Sequence, residues 1–439
     1  MRHVLAAALC VALVGPAFPA WACEGDCNGD REVGVEELIA GVGIALGTAP
    51  VDRCAAVDGN GDGVVTVNEL IAAVDRALRG CPDPYPRDDA LRLNQAQVLG
   101  SHNSYHIEPA DLINEAIALY LGTTAGQALA DSLDYTHVPL PEQFGDQGVR
   151  QIELDVFADP QGGLYATPAG LALLTGDPEA RLAGMDDPGS KVLHVQDVDW
   201  QSTCATLVEC LRQVRDWSLA NPTHAPLLIL IEAKDDALPR IGPFDFVTPV
   251  PIGDAELDVI DAEIRSVFAP AHLITPDSVR GARATLREAV EQDGWPTLRA
   301  ARGKVLFALD NEGEEKATYL AGHPSLRGRV MFTSSAPPAD EAAFVKLNDP
   351  LADFAQIQDV VARGYIVRTR ADAETAQARS GDTMQRDAAL ASGAQFVSSD
   401  YPVPDPDFGS GYFVAMPGGM PARCNPISAP SECTPADVE

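Results

Sequence analysis

The chain has 439 residues, 46% of them hydrophobic, and a formal net charge of −33 at neutral pH. That length accommodates one large domain and a smaller one. So acidic a chain is a poor partner for nucleic acid, and an anionic membrane repels it unless a cation bridges the two. At the N-terminus, Arg2 and His3 precede an apolar run from Val4 to Val14, and Ala20-Trp21-Ala22 offers small residues around a cleavage point. Residues 1–22 therefore read as a secretory signal peptide, too short to span a bilayer as a stable helix. A lipid anchor on Cys23 is the weaker alternative, because Ala20 rather than a larger aliphatic stands three residues before it. No other segment is long and apolar enough to cross a membrane. The expected location is secreted, periplasmic or at the cell surface. Of nine cysteines, Cys10 leaves with the signal. The even remainder in an exported chain points to disulfides. Cys204 lies near Cys210, and Cys424 near Cys433, while Cys23, Cys27, Cys54 and Cys81 bracket the next segment. Spacing alone leaves the connectivity open. No C-x-x-C pair is present, which argues against zinc.

Residues 23–82 hold an internal repeat at constant offset. Asp26-Cys27-Asn28-Gly29-Asp30 aligns with Asp58-Gly59-Asn60-Gly61-Asp62, and Glu37-Leu38-Ile39-Ala40 with Glu69-Leu70-Ile71-Ala72. Each half is a D-x-N-x-D loop closed by a glutamate and followed by an apolar helix. This resembles the EF-hand calcium loop, whose early oxygens curve round the ion while the last carboxylate completes the shell. The resemblance makes Asp26, Asn28, Asp30, Glu32 and Glu37 the ligands of the first loop, and Asp58, Asn60, Asp62, Val64 and Glu69 those of the second. The second loop has Gly63 where the turn needs glycine, whereas the first has Arg31. Paired loops with single following helices also resemble dockerin modules, which implies a docking partner for this segment. Dockerins carry Asp rather than Glu at the closing position, a departure here.

Proline and aspartate cluster after Cys81, so residues 83–94 read as a stiff linker. Residues 95–415 then alternate short apolar runs with helical stretches. Eight strands are expected: Ala96–Gly100, Arg150–Phe157, Val192–Val195, Leu227–Glu232, Val305–Leu309, Val330–Thr333, Tyr365–Thr369 and Gln395–Ser399. Helical segments such as Thr206–Ala220 and Ala255–Val267 lie between most of them. Eight βα units predict an α/β fold, a TIM-type (β/α)8 barrel, preceded by the small helical EF-hand/dockerin-like pair. A doubly wound open sheet is the alternative. Residues 416–439 form a Pro- and Ser-rich tail that its two cysteines can staple.

In a parallel barrel, reactive groups gather at the C-terminal ends of strands. His102 and Asn103 follow the first expected strand, Glu153 and Asp155 share one face of the second, His194 ends the third and Glu232 the fourth. Asn103, Glu153, Asp155 and Glu232 are hard oxygen donors that select Ca²⁺ or Mg²⁺ over zinc. Three clustered carboxylates repel one another unless a cation joins them. Two flanking histidines supply acid and electrostatic stabilisation.

These segments resemble the catalytic region of the phospholipase C-like phosphodiesterases, most closely the calcium-dependent phosphoinositide phospholipase C family of bacteria. Gly-Ser-His-Asn-Ser-Tyr-His at 100–106, Arg-Gln-Ile-Glu-Leu-Asp-Val at 150–156, the Cys204–Cys210 stretch, and the runs Arg368-Thr369-Arg370-Ala371-Asp372 and Ser399-Asp400-Tyr401 carry the resemblance. It implies an exported phosphoric diester hydrolase acting on a phospholipid or a soluble phosphodiester, with peripheral membrane contact. His102 would contact the phosphate, His194 would be the general acid, and Glu153 would serve as base as well as ligand. Asn103, Glu153, Asp155 and Glu232 would hold calcium, and Lys234, Arg370 and Tyr401 would contact substrate. Metal-free relatives have an arginine where this chain has Asp155, so the carboxylate favours a metal. Glycerophosphodiester phosphodiesterases usually have His-Arg and His-Asp where this chain has His102-Asn103 and His194-Val195. That pattern, and a catalytically dead barrel serving adhesion or docking, are the rival readings. His106, His137 and His224 read as structural or supporting, and Trp200 and Trp217 as packing.

Overall fold

The computed structural model describes residues 23–238 and 246–439, so the expected signal peptide lies outside the described residues. The chain divides into two compact units that meet between Pro86 and Arg87. In the smaller unit, α1 (Val35–Ala45) and α2 (Val67–Arg79) each follow one acidic loop. The closing glutamates do local work: Glu37 accepts the Gly34 N–H at 2.7 Å, and Glu69 accepts the Thr66 N–H at 2.7 Å, each capping its helix. The unit's core is slight, built on Ile44, Val57 and Val65. Disulfides Cys23–Cys81 and Cys27–Cys54 supplement it, as small modules require. Cys23 is thus engaged in a disulfide.

The larger unit is built on β1 (Ala96–Ser101), β2 (Gln151–Phe157), β3 (Lys191–Val192), β4 (Leu227–Ala233), β5 (Leu273–Ile274), β6 (Val305–Leu309), β7 (Met331–Thr333), β8 (Phe344–Lys346), β9 (Ile366–Arg370), β10 (Phe396–Ser399) and β11 (Ala422–Cys424). Along the curled parallel sheet the order is β7-β6-β4-β2-β1-β10-β9-β8. A parallel bridge from Ser334 to Phe344 joins the two ends. The result is a TIM-like α/β sheet, and the doubly wound alternative fails. The strands are apolar runs buried on both faces, as parallel sheets under helices demand. Leu227 to Ile231 and Val305 to Leu309 are almost wholly sequestered.

One strand assignment needs correction. Val192–Val195 is not a barrel strand. Of it only Val192 is extended, as the second residue of β3, which pairs antiparallel with the end of β2. The missing barrel strand is β8, only three residues long and too short to show a periodicity. Two boundaries also shift. The second half of the expected linker belongs to the larger unit, where buried Asp88 takes two hydrogen bonds from Arg302 at 2.6 and 2.8 Å. The expected C-terminal tail is integral as well: β11 pairs with β1, and Glu439 grips the Arg150 guanidinium with both carboxylate oxygens. The remaining disulfides, Cys204–Cys210 and Cys424–Cys433, close short loops, in line with the sequence groupings.

Candidate active site

The site is assembled on one arc of the sheet. After β1 the chain turns sharply, with Asn103 at φ 42°. Ser104 clips this turn to β2: its N–H donates to the Glu153 carbonyl at 2.9 Å, and its Oγ accepts the Glu153 N–H at 2.9 Å. Asn103 and Glu153 are thereby fixed side by side. Asp155 on β2 lies opposite Glu232 on β4 in the parallel register. Asp310 follows β6 directly, its N–H bonded to the Ile231 carbonyl at 2.8 Å. Strand pairing alone thus brings four carboxylates to one rim. Oxygens of Glu153, Asp155 and Glu232 lie within 4.8 Å of one another.

The cations around this cluster are too few to neutralise it. Arg368 donates to Glu153 Oε2 at 2.6 Å, Lys234 to Asp155 Oδ2 at 3.0 Å, and Lys346 to Asp310 Oδ2 at 2.7 Å. Burial, with Asp155 adding repulsion, pushes the Glu232 carboxyl up to about 7. Burial likewise raises Glu153, against the opposing pull of Arg368. Lys234 is held above its ordinary range: burial opposes this, but Asp155 and Glu232 outweigh it. Among the buried oxygens without a hydrogen-bond partner are three at this rim: Asn103 Oδ1, Asp155 Oδ1 and Asp310 Oδ1. Buried polar atoms are rarely left so. Asn103 spends its amide on the Tyr135 hydroxyl at 3.0 Å, which aims its oxygen elsewhere. Hard oxygens with unspent lone pairs amid uncompensated carboxylates are the donor set of a calcium site, and the residues present fit that ion.

Two histidines flank the cluster, each with an aspartate on Nδ1. His102 Nδ1 is 2.7 Å from Asp400, and its Nε2 is 3.8 Å from Glu153 and 3.3 Å from the Arg370 guanidinium. Arginine only donates, so His102 Nε2 holds a lone pair and Nδ1 carries the proton. Burial, reinforced by Arg370, keeps this imidazole below its ordinary pKa despite Asp400 and Glu153. Burial alone would raise the Asp400 carboxyl, but His102 and Arg370 hold it well below the usual range. Buried His137 donates to the His102 carbonyl at 2.8 Å and steadies the turn from beneath. His194 lies on the loop after β3 rather than at a barrel strand's end. Its Nδ1 is 2.7 Å from Asp199, which also bonds His106.

The other expected substrate contacts are already engaged. Arg370 donates to Asp400 at 3.0 Å, and Lys234 to Asp155. Tyr401 is buried against Phe408 and Tyr412, its hydroxyl on the Asp134 carbonyl at 3.1 Å, so it presents no free hydroxyl. His224 is remote, bonded to Ser218 and the Ala225 carbonyl. Sequence reasoning missed Asp199, Asp310 and the pairing of Arg368 with Glu153. Asp310 had a usable signal, since Val305–Leu309 is an apolar run ending in an acid, the same pattern as Leu227–Glu232. In the acidic loops of the smaller unit, Asp26 accepts the Gly29 and Arg31 N–H groups, as Asp58 accepts those of Asp62 and Gly63.

The family model described as phosphoinositide phospholipase C, Ca²⁺-dependent, matches residues 91–426. Among solved structures, the chain is similar to a calcium-dependent phosphoinositol-specific phospholipase C from a Pseudomonas species, at 16% identity over 77% of this chain and 97% of that one, with a TM-score of 0.46. It is also similar to a Ca²⁺-dependent phosphatidylinositol-specific phospholipase C from Streptomyces antibioticus, at 20% identity over 73% and 97%, TM-score 0.43. A glycerophosphoryl diester phosphodiesterase from Parabacteroides distasonis is similar at 12% identity over 75% and 92%, TM-score 0.27. No curated protein sequence matches.

Proposed function

This chain belongs to the calcium-dependent phosphoinositide phospholipase C family, and on that premise we propose that it is an exported enzyme that cleaves inositol phospholipids through a cyclic phosphate. The observation that carries the reading is the pair of histidines, each backed by an aspartate, beside buried carboxylate and amide oxygens that lack partners. Asn103, Glu153, Asp155 and Glu232 would hold calcium, with Asp310 as a fifth oxygen source. Bound there, the ion supplies charge for the phosphoryl oxygens and acidifies a nearby hydroxyl.

The chain's own groups divide the proton work. His102, neutral with its Nε2 lone pair free of a proton, takes the proton of the inositol hydroxyl as that oxygen attacks phosphorus. Glu153, its Oε2 bound to Arg368, is better suited to ligation than to the base role that the resemblance implies. Arg370 beside His102 faces the charge that builds on the phosphate. His194, held by Asp199, gives its Nε2 proton to the departing alkoxide. A water molecule then opens the ring by the reverse proton traffic. His102→Ala and His194→Ala should each lower turnover roughly 10²–10⁴-fold with the fold intact, measured on phosphatidylinositol. Retention of more than a tenth of the activity by either would remove that residue from the mechanism.

A second role is proposed for the smaller unit, as a calcium-stabilised docking module. Its support is a repeated surface. Val35, Ile39 and Val42 on α1 and Leu46 at its C-cap are exposed, and so are Val67, Ile71, Val74 and Leu78 at the same offset on α2. Each set is one apolar stripe on a helix, outside the core. Calcium in the two loops would fix these helices.

A further inference from the structure

His106 lies in the larger unit with no solvent exposure, and it is not among the groups given a chemical task above. Both of its ring nitrogens face acceptors. Nδ1 is 2.9 Å from the Tyr135 carbonyl, and Nε2 is 3.0 and 2.9 Å from the two oxygens of Asp199. A carbonyl can only accept, and so can a carboxylate. Each ring nitrogen therefore needs its own proton, which makes the ring a cation. The Tyr135 ring stacks on it with centroids 4.3 Å apart. Asp199 in turn takes the Nδ1 proton of His194 at 2.7 Å, and the two imidazoles meet edge to face at 5.6 Å. The other half of the site is built alike. Asp400 is shared between His102 and a cation, Arg370, at 2.7 and 3.0 Å.

We infer that His106 is a positioning residue, a fixed cation that neutralises Asp199 as Arg370 neutralises Asp400, so that His194 is oriented by its aspartate without being made a reluctant acid. A bare buried carboxylate at 2.7 Å would hold the imidazolium of His194 tightly. A carboxylate already in an ion pair orients the ring and leaves the proton free to move. The charged and titratable groups around His106 agree with a cation there. Asp199 faces it from the loop after β3, and Asp400 from the end of β10 favours the charge. His137 is itself neutral, and Glu108, just after His106 in the chain, is an acidic group in reach. Against burial, Asp199 keeps this ring protonated above the ordinary histidine range.

The inference rests on His194 as the acid, so its test has one arm that needs no activity. In ¹⁵N-histidine-labelled full-length protein, the buried His106 imidazole should show both ring nitrogens protonated at pH 7, where an ordinary histidine is mostly neutral. A single protonated nitrogen on that ring at pH 7 overturns the inference, whatever the enzyme's substrate proves to be. The second arm is the pH profile of kcat/KM. In His106→Gln, loss of the counter-charge should move the basic limb upward by about one pH unit or more and lower the plateau. In the Asp199→Asn background, the same change should leave the limb in place. A structural role alone would lower activity without moving the limb, and an unmoved limb in folded His106→Gln therefore overturns the inference. If that variant does not fold, the labelled wild-type protein still decides.

Discussion

Asp155 shows what a functional residue costs the protein that carries it. Its Oδ1 is buried and unpaired, it faces Glu232 across the strand pair, and Lys234 meets only its other oxygen. Such a site is destabilised until a cation fills it. Asp155→Asn should therefore raise the melting temperature of the calcium-free protein while increasing the calcium needed for half-maximal activity by at least about tenfold. Thermal melts in chelator and calcium titrations of activity check the two halves. A lower melting temperature together with an unchanged calcium requirement would contradict the assignment. The same residue explains why the site was visible early. Glu153 and Asp155 alternate with apolar residues along a buried strand, and burying charge in such a run needs a reason. Asp199 gave no such warning, because Val-Gln-Asp-Val-Asp at 195–199 mixes polar and apolar residues on an irregular backbone. Arg368 and Glu153 are far apart in sequence, and only β9 folding beside β10 brings them within 2.6 Å.

At the scale of elements, the precision of the arc depends on how β1 approaches β2. Gly100 sits opposite Gln151 in the register. A Cβ there would lie 1.9 Å from the Gln151 amide oxygen, in a side chain that also donates to the Ser101 carbonyl at 3.1 Å. Gly100→Ala should cost roughly 1–3 kcal/mol in chemical denaturation and should disturb the His102 turn that follows. A variant as stable and as active as the parent would show that the strand pair is more tolerant than its packing implies. Strand periodicity made seven of the eight barrel strands legible, because each is a buried apolar run. The exception is instructive. Val192–Val195 has the composition of a strand, but the chain there pairs only briefly and antiparallel with the end of β2, and composition carries no direction. Phe344–Lys346 does enter the barrel, yet three residues are too few to make a pattern. His194 consequently rides on a loop rather than at the end of a barrel strand. The aspartate on its Nδ1 supplies the rigidity that a strand would have given.

Over the whole molecule, the buried histidines link stability to acidity. Burial keeps both His137 and His224 neutral and lowers each to about 4. The ordinary value near 6.5 applies once the chain unfolds. The unfolded chain thus binds protons first as pH falls, so stability is retained above about pH 6.5 and lost between there and about pH 4. Each ring removes about 2.5 kcal/mol by pH 4.5. Denaturant melts from pH 7.5 to 4.5 should show this decline, with a shallower slope in His224→Asn, which lies far from the catalytic rim. An unchanged slope in that variant would remove His224 from the account. Net charge bears on where the enzyme works. At −33, approach to a densely anionic bilayer is opposed, whereas inositol lipid diluted in zwitterionic lipid offers the same headgroup with weaker repulsion. The most direct measurement of the central claim follows from that choice of surface. Phosphorus NMR of full-length protein acting on phosphatidylinositol dispersed in phosphatidylcholine, with calcium and with excess chelator, reads activity, product and metal need together. The account predicts a cyclic inositol phosphate resonance that appears only with calcium and later gives way to the open monoester. Undiminished turnover in chelator, or calcium-loaded protein that leaves phosphatidylinositol intact, would contradict it.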